Sequence, residues 1–337
     1  MAAILARSAR GDMAKKTVVI GGGAWGTALA CVSVRAGRET SLLCRDADVA
    51  RALSEEGANP RYLPGITLAE RIDAGTDPSV LSCAGLVILA IPAQSLRAAL
   101  PPLAAHIPTG AVLVNTAKGI EVATGLLLSH AIGQICPDHA QAVLSGPSFA
   151  SDVAAGKPTA VTLAAGTEEG ALALCRALSS DTFRAYASAD MAGVETGGAL
   201  KNVYAIAAGI VIGMGYGESA KAALITRAFV ELRRLGAAMG GCEQTYMGLS
   251  GFGDLMLSCA TAQSRNFGYG MALGRGEDLE GRPLAEGAAT VQIAGRIAED
   301  KGITAPILQM TRRLLAGEVT PEGAMQALLT RPIKEEF

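Results

Sequence analysis

Six residues near the start of the chain, GGGAWG at 21–26, restrict the fold more than any other stretch. They match G-x-G-x-x-G through Gly21, Gly23 and Gly26, follow the apolar run TVVI (17–20) directly, and open a helix-like segment, TALACVSVRAG (27–37). In that setting one glycine makes a tight turn, one lets a pyrophosphate approach the backbone, and one lets the helix pack closely on the strand. The N–H groups and dipole at the helix start favour the phosphates. The turn therefore predicts a bound dinucleotide.

The next strand, TSLLC (40–44), leads into Arg45 and Asp46. An acid at that strand end would hold a ribose 2′-hydroxyl, whereas a base accommodates a 2′-phosphate. Arg45 comes first, so NADP is favoured, with NAD use also open and a solvated surface charge as the plain alternative. DVARALSEEG (48–57) and SLRAALPPLAAHI (95–107) read as helices. LVILAIP (86–92), VLVNTAKG (112–119) and AVLSGP (142–147) read as buried strands running into turns. Strands alternating with helices predict a doubly wound parallel sheet.

Near residue 190 the texture changes to Gly/Ala-rich helical stretches at 191–212, 218–240, 252–260, 286–301 and 305–316. The expected architecture is an α/β Rossmann-type domain over 15–190 plus an all-α domain over 191–337. Residues 1–14 are set aside as a frayed leader, with Met1 or Met13 as the start. A length of 337 residues suits two cores. A net charge of −2 gives no basic face for nucleic acid, so an anionic substrate needs a local cationic pocket. Seven cysteines, odd in number and without CxxC spacing, read as buried thiols in a reducing cytoplasm, with no metal site. The apolar runs at 84–93 and 203–215 are shorter than the roughly 20 residues a spanning helix needs, so no membrane insertion is expected.

Hydride chemistry at an alcohol carbon needs a group to exchange the hydroxyl proton. His106, His130 and His139 all fall in the sheet half beside surface-like sequence and read as surface or capping residues. Lys201, in GVETGGALKNVYAIAAGIVIG, is a stronger candidate: among such neighbours a lysine must snorkel, find a partner or lose charge. Further polar groups lie on turns, each also readable as a plain turn or cap. They are Lys118 in NTAKG, SGPS (145–148) before FASDVAAG, Asp254 in GFGD, and Ser264, Arg265 and Asn266 in QSRN.

Together with NPRYLPG (59–65), AIPAQSLR (90–97), LSGPSFASDVAAGKPTA (144–160), GGALKNVYAIAAG (197–209), ALITRAFVELRRLGAAMG (223–240), GLSGFGDLMLSC (248–259), QSRNFGYGMALGRG (263–276) and AEGAAT (285–290), these segments resemble the bacterial NAD(P)-dependent glycerol-3-phosphate dehydrogenase family, from about Lys16 to about Gly317. The resemblance implies reversible reduction of dihydroxyacetone phosphate to sn-glycerol 3-phosphate, a phospholipid precursor. It implies Lys201 as general acid/base and Lys118 as a substrate ligand polarising the carbonyl. Gly146, Ser148, Asp254, Ser264, Arg265 and Asn266 complete the substrate site. Trp25, Arg45, Lys118, Ala150, Arg265 and Glu286 match cofactor-contacting positions, with Leu284 a further one. The chain departs from the family at Ala24, where serine is frequent, and at Leu284, where valine is common. The expected partner is a small phosphorylated molecule, and a homodimer is compatible with this reading. Rival readings are a β-hydroxyacid or 6-phosphogluconate-type dehydrogenase, and a dinucleotide sensor without turnover.

Overall fold

The computed structural model describes residues 16–282, 285–330 and 332. Eight strands form one sheet: β1 (Lys16–Ile20), β2 (Thr40–Leu43), β3 (Asp73–Gly75), β4 (Ala84–Leu89), β5 (Val112–Asn115), β6 (Ala140–Ser145), β7 (Thr159–Ala165) and β8 (Phe183–Ser188), in the order β3-β2-β1-β4-β5-β6-β7-β8. The pairing is parallel except between β6 and β7, which run antiparallel, so the sheet is not wholly parallel as expected. β3, β7 and β8 extend it beyond the five strands legible in the sequence.

β4 and β5 are buried along their whole length, which is why they read as unbroken apolar runs. Alternate residues feed opposite faces of the sheet. Val19, Leu42, Leu86, Ile88 and Val114 join one core, and Val18, Leu43, Val87, Leu89 and Leu113 the other. Helices α1 (Ala24–Arg35), α2 (Leu128–Ile135), α3 (Ala150–Ala154) and α4 (Glu168–Leu178) accompany the strands.

Two residues after β8 the chain enters α5 (Met191–Gly213), buried almost throughout from Gly193 to Val211. Around it lie α6 (Glu218–Ala238), α7 (Asp254–Ser258), α8 (Arg265–Gly274), α9 (Glu286–Asp300), α10 (Pro306–Leu315) and α11 (Pro321–Leu329). The expected 252–260 helix is a π-turn, Leu249–Gly253, leading into α7, and α8 and α11 are helices where none was expected. The apolar stretch read as 203–215 belongs to a 23-residue helix, long enough to cross a membrane. In this fold, however, 89% of its most apolar window is covered by the rest of the molecule. Ile120 and Leu127, from the loop after β5, pack into the helical core and tie it to the sheet.

Candidate active site

After β1 the chain turns through Gly21 at φ 119°, where a Cβ would come 2.5 Å from the Ala90 carbonyl oxygen beyond β4. A Cβ on Gly26 would fall 1.8 Å from the Gly21 carbonyl, so α1 can seat only on glycine. Gly23 caps α1 and faces open space, with no side-chain cap and no acidic residue in the first turn. That geometry fits a pyrophosphate at the helix N-terminus, flanked by Ala24 and the half-buried Trp25. Gly22, given no role from sequence, lies against Cys44: a Cβ there would meet its Sγ at 2.6 Å. Asn59 staples the turn, donating to the Gly22 carbonyl (3.0 Å) and to Thr27 Oγ1 (2.8 Å).

Beyond β2, Arg45 is exposed and makes no ion pair among the described residues. Asp46 is committed elsewhere. Its carboxylate caps the helix Ala47–Arg51 and pairs with Arg61 at 2.6 Å. The charge left to meet a ligand at this strand end is therefore positive.

Lys118, Lys201 and Asp254 come together although they are far apart in sequence. Asp254, buried at the start of α7, receives Lys118 Nζ on Oδ2 at 2.5 Å and Lys201 Nζ on Oδ1 at 2.9 Å. Burial alone would raise the Asp254 carboxyl, but the two ammonium groups outweigh it and hold it below the usual carboxylate range. Burial pushes Lys118 down to about 8; Asp254 opposes the shift and the charge of Lys201 adds to it. Lys201 also donates to Ser258 Oγ (2.5 Å), which reaches Asp254 Oδ1 at 3.4 Å. Lys118 donates its second bond to the Gly146 carbonyl (3.0 Å), which also accepts from Ser148 Oγ (3.1 Å). An ammonium has three N–H donors, so each lysine keeps one for a ligand oxygen.

The remaining candidates border this cluster. Ser264 is the N-cap of α8, and Arg265 and Asn266 form its first turn rather than the loop expected. Gly209 and Gly213 on α5 lie against α8 backbone at Phe267 and Met271, and Gly270 and Gly274 on α8 lie against α5 backbone at Ile206 and Ile210, which holds the Arg265 end beside the helix of Lys201. The Asn266 amide is taken up within the protein: it donates to Asn202 Oδ1 (2.9 Å) and accepts from the Gly287 N–H (2.9 Å). Glu286 opens α9. Burial raises its carboxyl, opposed by Arg265, Lys201, Lys118 and a bond from the Ala93 N–H. Lys118, Lys201 and Arg265 against Asp254 and Glu286 leave one net positive charge, the cationic pocket that an anionic substrate requires. Ala150 begins α3, and Leu284 lies outside the described residues.

Among the described residues these groups sit on loops at the carboxyl ends of β1, β2, β4, β5 and β6, or on helices facing them, which is where open α/β sheets bind ligands. His106 and His130 are exposed. His139 is half-buried, and neither ring nitrogen is hydrogen-bonded among the described residues, so its ring caps nothing there.

Two family models cover most of the chain: the NAD-dependent glycerol-3-phosphate dehydrogenase N-terminus over residues 16–171 and its C-terminus over 190–326. The chain belongs to the NAD-dependent glycerol-3-phosphate dehydrogenase family. It is 54% identical over 325 residues to glycerol-3-phosphate dehydrogenase (NAD(P)+) of Brucella canis, covering 96% of this chain and 100% of the relative. With the enzyme of the same name from Mesorhizobium japonicum it shares 53% over 327 residues, covering 97% and 95%. The crystal structure of glycerol-3-phosphate dehydrogenase from Coxiella burnetii superposes with a TM-score of 0.88 at 34% identity, covering 94% of this chain and 99% of that one.

Two residues without a role from sequence touch the lysine cluster, Ser258 and Asn202, and a third, Glu195, lies on the same helix as Lys201. Ser258 stands four residues after Asp254, hence on the same helix face, and Asn202 is next to Lys201, so both carried a local signal. Glu195 carried none. It is buried on α5 and its carboxyl is pushed up to about 7 by burial, against hydrogen bonds from Ser129 and Asn115.

Proposed function

We propose that the chain catalyses reversible, NAD(P)H-dependent reduction of dihydroxyacetone phosphate to sn-glycerol 3-phosphate, supplying a phospholipid precursor. The observation that carries this reading is one buried carboxylate, Asp254, gripped on its two oxygens by two lysines beside a glycine turn open to pyrophosphate.

The nicotinamide, when bound, supplies the hydride. The chain's own residues handle charge and the proton. The spare N–H groups of Lys118 and Lys201 both suit the ketone oxygen, polarising it as negative charge develops there. Lys201 then passes a proton to that oxygen; Lys118 and Asp254 remain an ion pair, and the site loses one positive charge. In the oxidative direction Lys201 takes the proton back. Ser258 and Asp254 hold the Lys201 ammonium in place. Arg265, at the N-terminus of α8 with Ser264 and Asn266, takes the substrate phosphate, and Gly146 and Ser148 border the bound triose. Gly21, Gly23, Ala24, Trp25, Gly26, Arg45, Ala150 and Glu286 line the cofactor, and exposed Arg45 favours NADPH. In this reading 15–190 is the cofactor half and 191–337 the substrate half. The setting is cytoplasmic, in keeping with seven unpaired cysteines, and a homodimer is compatible with it.

A second assignment of the proton donor is supported by Lys118, which burial lowers to about 8. Replacing each lysine by arginine separates the two, because the true donor leaves a rate defect that extra substrate does not overcome. The overall reading is tested by steady-state oxidation of NADPH and NADH, side by side, with dihydroxyacetone phosphate. Turnover of β-hydroxyacids instead, or binding of NADPH without turnover of any triose phosphate, sinks it.

A further inference from the structure

Glu195 is a buried carboxylate that the reaction does not use. Its Oε1 accepts from the Ser129 N–H (2.9 Å) and from Asn115 Nδ2 (3.2 Å), and Oε2 accepts from the Ser129 hydroxyl. Ser129 stands in the first turn of α2, whose N-cap residue Leu127 offers no side-chain acceptor. An acid on α5 thus caps a helix of the sheet half.

The second partner leads to the lysines. Asn115 ends β5, and its Oδ1 accepts from the Ala117 N–H at 3.1 Å, one residue before Lys118. Lys118 is itself held by α5, since Asn202 Nδ2 donates to its carbonyl at 3.3 Å. From Glu195 to Asn202 the helix advances about 10.5 Å, close to the roughly 10 Å that three residues of open chain can reach between Asn115 and Lys118. Two turns of helix and one short loop therefore match in length. Between the contacts lies Gly198, where a Cβ would stand 2.6 Å from Ser145 Oγ and 3.4 Å from Lys118 Cγ, so the lysine stem runs along bare helix backbone.

We infer that Glu195 is a positioning residue: through Asn115 it fixes the 115–118 segment on the helix that carries Lys201, and so sets the spacing of the two lysines. The inference rests on the assignment of Lys118 and Lys201 to the substrate. A carboxamide at 195 can do the same work, since its oxygen still accepts from Ser129 and Asn115 while its N–H₂ donates to the Ser129 hydroxyl. Alanine removes the acceptor of three donors, the Ser129 N–H, the Ser129 hydroxyl and the Asn115 amide, which is left only a 3.5 Å contact to the Ala117 carbonyl.

The experiment compares Glu195→Ala, Glu195→Gln, Asn115→Ala and the Glu195→Ala/Asn115→Ala pair, with Lys118→Ala as reference. Initial rates are measured over a range of dihydroxyacetone phosphate and NADPH, and NADPH binding by fluorescence. Glu195→Ala and Asn115→Ala should each raise the KM for the triose by a factor on the order of 10 to 100, the scale of a misplacement near 1 Å. NADPH affinity should hold within about twofold and the double variant should be no worse than the worse single one. Glu195→Gln should regain most of the loss. Additive effects, a lowered Tm with unchanged kinetic constants, or a Glu195→Gln variant as impaired as Glu195→Ala overturns the inference. Should Glu195→Ala not fold, Asn115→Ala and Glu195→Gln decide in the same way. A Lys118→Ala variant with unchanged KM overturns the underlying assignment, and this inference with it. A raised KM there, with Asn115→Ala and Glu195→Ala unchanged, overturns this inference alone.

Discussion

The glycine turn is six consecutive residues packed against Ala90, Cys44 and Asn59, whereas the lysine cluster gathers Lys118, Lys201, Asp254 and Ser258, with Lys118 and Asp254 alone 136 positions apart. The turn follows β1 and Lys118 follows β5, both at the carboxyl edge of one sheet. The turn works by leaving out side chains, so it tolerates almost no addition: there is room for a phosphate only where no Cβ exists. The cluster works by burying charge, so it depends on every partner being present. Asp254 stays ionised in the interior only because two ammonium groups face it, and each lysine is placed by what it donates to. One site is made by local geometry and the other by tertiary packing, and they should fail differently.

The largest contrast is expected from Lys201→Ala. Turnover should fall by about 10²–10⁴-fold, while NADPH binding, measured by fluorescence titration, stays near wild type. A variant with ordinary turnover would reduce Lys201 to a structural partner of Asp254 and erase the distinction. Gly26→Ala should do the reverse. With its Cβ driven into the Gly21 carbonyl, NADPH affinity should drop at least about tenfold and stability by about 1–3 kcal/mol. Unaltered cofactor affinity in this variant would show that the turn is not where the dinucleotide sits.

A pH profile sharpens the comparison on the lysine side. Lys118, lowered to about 8, is cationic below that pH and neutral above it. kcat/KM for the triose should therefore be level below about pH 8 and fall by up to about tenfold per unit above it. Lys118→Arg, which keeps its charge, should remove the alkaline fall even if its overall rate is lower. A flat wild-type profile through pH 10 refutes a need for the Lys118 charge. The smallest effect belongs to Arg45→Glu, because the group is exposed and screened. The ratio of kcat/KM for NADPH to that for NADH should move toward NADH by roughly fivefold to tenfold. No movement would return Arg45 to the solvated surface.

The parts of the fold legible in the sequence are those whose signal is local. TVVI, AGLVIL and VLVN read as strands because both of their faces are covered. β3, with only three residues, and β8, an edge strand carrying exposed Arg184, present no such run. α8 was missed because Gly268, Gly270 and Gly274 lower its helix propensity. Two of those glycines are the contacts that let it press against α5. Asp254 was picked out from its glycine turn. That both lysines share its carboxylate was not visible, because nothing in the 136 residues from Lys118 to Asp254 records how the chain closes on itself.

By itself the sequence determined the dinucleotide turn, the alternation that builds the sheet, and the residue types able to exchange a proton and bind a phosphate. These follow from backbone sterics and apolar periodicity, which act over a few residues. The tertiary structure alone decided that Asp254 joins the two lysines, that Ser258 completes the group, that the Asn266 amide is used within the protein, and that Glu195 ties the Lys118 loop to the Lys201 helix. Those are pairings of buried polar groups. A buried charge or amide is stable only where a partner waits, and folding determines where that is.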